Sequence, residues 1–528
     1  MIAHKNHINL IQFFPSVASG FLLTWCFPNA NLFYLAFLAL VPWLISLKSM
    51  NAKQSFYSGL VFGIVHFCSL IYWIVPTLIE YGKLHLILAV CALLFLSFYL
   101  GLFPAVFAYL LKEISGSFVK PLLASCIWVS LEYIRTYLFS GFAWGALGYS
   151  QYLNLILIQI ADFSGIYGIS FLIILTNYII ADIWISFVSK EQKVLLIPVI
   201  YTLVLIVACL FYGANRIKFI DQQIKTSFKP TISIVQGNID QDKKWSRKFQ
   251  KQTLEKYISL STTQIKKKPD LIVWPETALP FYYTYDKKLS EQIDEFIRSS
   301  KTNFLIGSLA FEQVDNKIKY YNRAYMLDRF SIIKQSYDKH HLVPFGEYVP
   351  FKKYFDFLGK ITEQAGNFSI GKEELFPLQF NEYKTGVLIC FEILFPHIAT
   401  KFVKNKADIL TTITNDAWFG NTSAAKQHFA IAVLRSVENR RSVVRVANTG
   451  ISGFINPFGK VLYTTKTFTD KAFAYEIPAL KTISFYTKYK DVFAVCTLIV
   501  SLFAICSVFV LKFIQKSRSN KNEHRIKT

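Results

Sequence analysis

Eight segments of this chain approach or exceed the roughly 20 apolar residues that a bilayer-spanning helix needs: 8–27, 31–47, 55–76, 84–111, 118–139, 155–188, 194–213 and 489–511. In lipid a backbone must pair its own N–H and C=O groups, so such segments fold as helices. They predict a multi-span α-helical membrane bundle of about eight helices. Residues 214–488, before the last segment, have another character. That block holds 41 of the 57 Lys/Arg and 26 of the 34 Asp/Glu, a net +15 of the chain's +23. Overall only 17% of residues are charged, against about 25% in ordinary soluble proteins. A disordered chain is excluded by 53% hydrophobic and 16% aromatic residues. The expected organisation is a membrane domain over 1–213 with about seven helices, a soluble block over 214–488, a last helix over 489–511 and a basic tail over 512–528.

Loop charges orient this arrangement. With the N-terminus cytoplasmic, Lys5, Lys48, Lys53, Lys112, Lys120, Lys190, Lys193 and the tail cations Lys512, Lys516, Arg518, Lys521, Arg525 and Lys527 all face the cytoplasm. The short opposite loops carry only Lys83, beside Glu80. This positive-inside pattern puts the 214–488 block outside the cytoplasm. No cleavable signal peptide is evident. In 155–188, Asp162 near the start suggests an interfacial approach over 155–164 and a span over 165–188; a hairpin there is the alternative. Glu132 and Arg135 fall inside a span, where each costs roughly 2.5–3.5 kcal/mol. Their i, i+3 spacing allows them to pair. They form either a structural ion pair or the polar wall of a lipid-headgroup cavity. The uncharged loop Gly141-Phe142-Ala143-Trp144-Gly145 is either an interfacial anchor or part of a lipid entrance.

The block alternates β-rich runs (Ile232–Gln236, Leu271–Trp274, Phe304–Gly307, Val387–Ile389, Ile409–Ile413, Val443–Val446) with helical candidates (Ser246–Ile265, Lys287–Ser300, Lys426–Asn439). That order predicts an α/β layered domain. The run Lys266-Lys267-Lys268 before Pro269 ends a helix on the surface. Seven of the eight cysteines fall in or at the ends of spans, where a thiol behaves as a small hydrophobe. Cys390 is the one in the block. Without a local disulfide partner it is either a reactive thiol or a buried structural one. It ends the apolar run Gly386-Val387-Leu388-Ile389-Cys390, and a strand end holds a nucleophile rigidly. Polar residues end extended runs in two further places, Trp274-Pro275-Glu276 and Lys339-His340-His341-Leu342-Val343-Pro344-Phe345-Gly346-Glu347-Tyr348-Val349-Pro350. His340 and His341 are adjacent and point differently in extended backbone, which disfavours a metal pair.

Trp-Pro-Glu at 274–276, Lys-His-His-Leu-Val-Pro-Phe-Gly-Glu at 339–347 and Cys-Phe-Glu at 390–392, in this order, resemble the nitrilase superfamily and its Glu-Lys-Cys set. Asn415-Asp416-Ala417-Trp418-Phe419-Gly420 and Arg445-Val446-Ala447-Asn448-Thr449-Gly450 also match its pattern, as do Gln236-Gly237-Asn238 and Trp245. Carried on membrane spans, such a block resembles the apolipoprotein N-acyltransferases, over nearly the whole chain. The resemblance implies an α-β-β-α sandwich on a membrane bundle. It implies Glu276 as general base, Lys339 as the charge-stabilising lysine and Cys390 as nucleophile. Glu347 matches a supporting carboxylate, Glu392 a further sensitive acid and Trp245 a substrate-side tryptophan. The family often has tyrosine where this chain has Phe391; the Phe391 backbone N–H remains an oxyanion donor.

The activity implied is transfer of a fatty acyl chain from a phospholipid, with phosphatidylethanolamine the expected donor, through a Cys390 thioester. The acceptor is the N-terminal α-amine of diacylglyceryl-cysteine apolipoproteins. The implied location is a bacterial inner membrane, with no metal and no cofactor. An extracytoplasmic block excludes nucleic acid as the partner of its positive charge. Two alternatives are a membrane-tethered amidase acting on a small amide and an inactive nitrilase-fold scaffold; an intact Glu276, Lys339 and Cys390 argues against the second.

Overall fold

The computed structural model describes residues 10–114, 118–189, 195–348 and 368–526. Lys5, Lys190, Lys193, Val349, Pro350 and Lys527 lie outside them, as do the side chains of Lys516, Arg518, Lys521 and Arg525.

The apolar segments are helical, and among the described residues four helices have the length and composition of a span. Leu86–Glu113, Ile166–Ser189, Leu196–Thr226 and Val492–Gln515 qualify. Ala52–Leu70 and Ile74–Glu80, bent by 52° at their junction, make a fifth if taken together. The other expected spans are shorter or more polar: Phe14–Trp25, the pair of short helices within 33–47, and Lys120–Tyr137. The segment 155–188 is not a hairpin. Short turns end at Gly165, and a single helix follows over Ile166–Ser189.

Small residues let the bundle pack closely. A Cβ on Gly59 would lie 2.4 Å from the Pro104 carbonyl oxygen, and one on Gly63 would lie 2.5 Å from the Gly101 Cα. The Gly-xxx-Gly pair on Ala52–Leu70 thus brings it against Leu86–Glu113 at backbone distance. Asn51 starts the first of these helices by accepting the Gln54 N–H, while Gln54 accepts the Asn51 N–H.

Glu132 and Arg135 do not form the ion pair their spacing allows. Glu132 Oε1 accepts the Trp128 indole N–H at 3.1 Å and the Leu147 N–H at 2.7 Å. The Arg135 guanidinium turns over the Phe67 ring, 5.2 Å from its centroid. Its Nε and Nη2 have no hydrogen-bond partner among the described residues. Spacing on a helix sets which backbones are near; here Trp128, one turn earlier, and a loop amide outcompete the cation.

The block 214–488 folds as two mixed sheets with helices outside. Its strands are β1 (Thr231–Gln236), β2 (Leu271–Val273), β3 (Leu279–Tyr282), β4 (Asn303–Val314), β5 (Lys317–Leu327), β6 (Ile333–Asp338), β7 (Leu378–Phe380), β8 (Tyr383–Ile389), β9 (Ile409–Thr414), β10 (Ser442–Ala447), β11 (Gly453–Ile455), β12 (Val461–Thr464) and β13 (Lys471–Glu476). One sheet has the order β13-β1-β2-β4-β5-β6, with β3 beside β4; the other has β12-β11-β10-β9-β8-β7. The centre of each is parallel: β1-β2-β4 in the first and β8-β9-β10 in the second. Alternation sorts the side chains. Ile232, Ile234, Leu271, Val273 and Leu305 join the core shared with β8–β10. Val235, Ile272, Trp274, Phe304 and Ile306 pack outward with Leu254, Ile293 and Ile297 of the helices Arg247–Ile265 and Lys287–Ser300. This is the α-β-β-α sandwich expected.

The second sheet faces the bundle through the helix Ala424–Asn439, which is buried along its length apart from Lys426. Gln427 Oε1 accepts the indole N–H groups of Trp144 (2.7 Å) and Trp73 (3.3 Å), and its Nε2 donates to the Leu70 carbonyl. Arg440 reaches Asp162 at 2.8 Å; Arg216 and Tyr212 each meet the same carboxylate at 2.6 Å. Arg435 pairs with Glu438 and with the Tyr149 hydroxyl.

Candidate active site

Three chain segments leave strand ends on one edge of the sandwich, and each delivers a polar side chain there. Glu276 follows β2, Lys339 follows β6 and Cys390 follows β8. Gly307 on β4 makes room for the first of these turns: a Cβ there would lie 2.4 Å from the Pro275 carbonyl oxygen.

Lys339 is buried and its ammonium is shared by two carboxylates. Nζ lies 2.9 Å from Glu347 Oε1 and 3.7 Å from Glu276 Oε1. Burial opposes the charge on Lys339, but Glu347, Glu276 and Cys390 outweigh it and hold the amine above the usual lysine range. Glu347 is fixed on its other oxygen by the Val343 N–H at 2.8 Å. Glu276 accepts the Asn322 side-chain amide on Oε1 at 2.7 Å and the Asn415 N–H on Oε2 at 2.8 Å. Both carboxylates are thereby aimed at one cation.

Cys390 opens a short turn, Cys390–Leu394, with φ 53°. This left-handed conformation is uncommon for a residue carrying a Cβ. It turns the chain sharply off β8. Burial pushes the Cys390 thiol up, Glu276 adds to that, and Lys339 pulls the other way. The first amides of such a turn have no acceptor within it, which leaves the Phe391 N–H free of intrahelical bonding. Glu392 is fully buried and ties two strand ends together. Its Oε1 accepts the Tyr337 hydroxyl (2.7 Å) and the His340 and His341 N–H groups (2.7 and 3.1 Å); its Oε2 accepts the Ile389 N–H (2.7 Å). Burial lifts its carboxyl to about 7 against these donors.

The model for the N-terminal domain of apolipoprotein N-acyltransferase matches residues 19–179, and that for carbon-nitrogen hydrolases matches residues 231–483. A protein of Geobacter metallireducens named apolipoprotein N-acyltransferase is 38% identical over 92% of this chain and 92% of its own. The chain belongs to the apolipoprotein N-acyltransferase family. A relative of that name from Haemophilus ducreyi is 28% identical over 97% of this chain and 100% of its own. A solved carbon-nitrogen hydrolase from Helicobacter pylori G27 aligns with 50% of this chain and 94% of its own, at 15% identity and TM-score 0.38.

Of the residues singled out in the sequence, Glu276, Lys339 and Glu347 are in direct contact, and Glu392 braces the turn of Cys390. Phe391 lies with its ring 5.3 Å from Phe395 and 5.9 Å from His341. Trp245 is exposed, with the Lys244 ammonium 5.7 Å from its ring. Lys244, not signalled by any pattern, is buried. Burial draws its amine down to about 8, with Glu276 opposing. Asn322 was also silent in the sequence. It sits on β5 between two tyrosines and an arginine, yet its amide spans Glu276 and, at 3.3 Å, Glu347. A lone asparagine on the buried half of a strand was its one signal.

Proposed function

We propose that this chain is a membrane-embedded N-acyltransferase that moves a fatty acyl group from a phospholipid to the N-terminal amine of a diacylglyceryl-cysteine lipoprotein. The observation that carries this reading is the shared ammonium of Lys339 between Glu276 and Glu347, set beside a thiol on a strained turn above apolar helices. A thiol is mostly protonated at neutral pH, with an ordinary pKa of about 8.5, and burial makes that of Cys390 harder to ionise. It needs a base and a cation, and Glu276 and Lys339 supply them. Glu276 takes the Sγ proton as sulfur attacks the ester carbonyl carbon. Negative charge gathers on the carbonyl oxygen, where the Lys339 ammonium and the Phe391 N–H donate; losing one such donor typically costs about 10²–10³ in rate. The C–O bond to the glycerol breaks, and Glu276 returns the proton to the leaving lysophospholipid oxygen. A Cys390 thioester remains. The lipoprotein amine attacks it, Glu276 accepts the amine proton, and the C–S bond breaks to give the amide and the thiol. The thioester keeps the activation of the ester, so no ATP is required.

Phosphatidylethanolamine is the donor in this reading. The chain sits in a bacterial inner membrane with 1–213 and 489–511 in the bilayer, 214–488 on the extracytoplasmic side and both termini cytoplasmic. The loop-charge asymmetry supports this orientation, and an impermeant amine reagent applied to whole cells tests it: labelling of the block only after lysis reverses it. The activity is tested by intact mass analysis of the full-length protein given phosphatidylethanolamine. The expected result is a fatty-acyl adduct on Cys390, discharged by a diacylated lipopeptide. Glu276→Gln and Lys339→Met both form it far more slowly than the wild type. An adduct in Cys390→Ala, or release to water alone, overturns the reading.

A further inference from the structure

The backbone of Cys390 is held by a histidine. Its carbonyl oxygen lies 3.1 Å from Nε2 of His428, on the buried helix Ala424–Asn439. The other ring nitrogen, Nδ1, is 3.0 Å from Arg445 Nη2. A carbonyl oxygen only accepts, so Nε2 carries a proton and donates it to Cys390, while Nδ1 also lies 3.2 Å from Asp416 Oδ1. Arg445 is itself fixed by Asp416 Oδ2 at 2.7 Å and by the Ile451 carbonyl at 3.1 Å. Asp416 Oδ1 accepts the Thr414 hydroxyl at 2.9 Å and also faces that same Nδ1. Thr414, Asp416, Arg445 and His428 therefore form one buried cluster that ends on the carbonyl of Cys390. The flat face of the imidazole meets the Trp144 ring, 5.6 Å between centroids at 30°, on the loop that rises from the membrane bundle. Burial first and Arg445 second draw the His428 imidazole below its usual range, with Asp416 and the Cys390 carbonyl opposing.

We propose that His428 is a positioning residue for Cys390: its Nε2–H holds the nucleophile's carbonyl and thereby the left-handed turn that aims the thiol, and Trp144 of the membrane bundle sets the plane of the imidazole. This rests on reading Cys390 as the acyl-accepting nucleophile. A residue with a Cβ does not stay at φ 53° without a partner that fixes it. The carbonyl is the group whose direction that dihedral governs. The arrangement links lipid-facing helices to the reacting residue through two rings and one hydrogen bond. It gives the catalytic block a physical reason to be seated on the bundle through this helix. Nothing in the role requires His428 to touch substrate or exchange a proton.

The test uses the full-length protein in uncharged detergent, with acylation of Cys390 by phosphatidylethanolamine and alkylation of the same thiol by iodoacetamide followed by mass. His428→Leu is expected to lower the saturating acylation rate by about tenfold to a hundredfold, the loss of one buried hydrogen bond. The half-saturating lipid concentration stays within about threefold, since no lipid contact is removed. His428→Gln, whose side-chain amide donates, restores most of the rate. Trp144→Leu lowers the same saturating rate by a smaller factor, and it tests the ring-setting contact even if His428→Leu fails to fold. Equal losses in His428→Leu and His428→Gln overturn the proposal, as does an effect confined to the half-saturating lipid concentration, or unchanged rates in Trp144→Leu. Iodoacetamide separates this from the activity reading. Slowed alkylation in His428→Leu, restored in His428→Gln, supports positioning even if the wild type takes no acyl group; unchanged alkylation refutes it.

Discussion

Two buried charge clusters in this molecule are built from the same groups in opposite proportions. At the candidate active site one ammonium, Lys339, serves two carboxylates, Glu276 and Glu347. At the junction with the bundle one carboxylate, Asp162, serves two guanidinium groups, Arg216 and Arg440, and a tyrosine. Excess carboxylate beside a thiol leaves a base with somewhere to put a proton. Excess guanidinium around one aspartate leaves a clamp, because arginine stays protonated in proteins. The composition of each cluster, more than its burial, separates chemistry from attachment.

The largest way to break the comparison is to remove the single central charge from the clamp. Asp162→Asn leaves the buried Arg440 and the half-buried Arg216 without their counter-charge, a loss of about 3–5 kcal/mol. The expected readout is a lowered thermal transition in detergent, with Cys390 acylation in the protein that remains folded unchanged within about threefold. A matching loss of rate at unchanged stability would mean that the junction takes part in the reaction. Removing the central charge at the candidate active site has the opposite signature. Lys339→Met is expected to lower acylation by about 10²–10³, and stopped-flow or quenched mass analysis at saturating lipid reads it directly. A loss seen only as weaker lipid binding would reassign the lysine to substrate recognition.

Glu392 sharpens the contrast further, since it is a buried carboxylate without a cation in hydrogen-bond contact. Its folded-state pKa of about 7 lies above the usual carboxylate range. The folded protein therefore holds this proton more tightly than the unfolded chain does. The stability tied to the group is full below pH 4.5 or so and is lost as pH rises through about 7. Glu392→Gln keeps an uncharged side chain at every pH. Its thermal transition is expected to fall less between pH 5 and pH 8 than that of the wild type, a difference on the order of 1–3 kcal/mol. Parallel pH curves for the two proteins would show that the group does not titrate in that window.

Legibility followed the physics of each element. The parallel strands β1, β2, β8, β9 and β10 are covered on both faces and read as apolar runs. β5 begins Lys317-Ile318-Lys319-Tyr320, exposed at its outer end, and carries no such run, so it and Asn322 stayed hidden. Glu276, Lys339 and Cys390 stood out because each follows a strand end, where a polar residue interrupts an extended run. His428 lies in a helix buried all round, where nothing in the local pattern distinguishes a working imidazole from a packed one. Lys120–Tyr137 carries buried polar groups and Ala52–Glu80 bends at residues 71–73, features that a run of apolar letters does not record. Glu132 and Arg135 show the same limit: their spacing fixed proximity, and the Trp128 indole and Leu147 amide fixed the partner.

The smallest expected effect tests the balance of charge around the thiol itself. Alkylation by iodoacetamide follows the thiolate, so its rate climbs with pH and levels off near the thiol's pKa. An ordinary cysteine levels off at about 8.5. For Cys390, burial is the first cause that raises this point and the Glu276 carboxylate the second, with Lys339 opposing. The rate is therefore expected to keep climbing past pH 9. Glu276→Gln removes the second cause and leaves the first, so its levelling point moves back toward that of an ordinary thiol without reaching it. Lys339→Met removes the opposing charge and moves it further up. Opposite displacements from two neighbours of one thiol are the signature of a titrating cluster with carboxylate in excess. Displacements in the same direction, or levelling at 8.5 in all three proteins, would mean that Cys390 does not feel these charges and that the contrast between the two clusters is one of geometry alone.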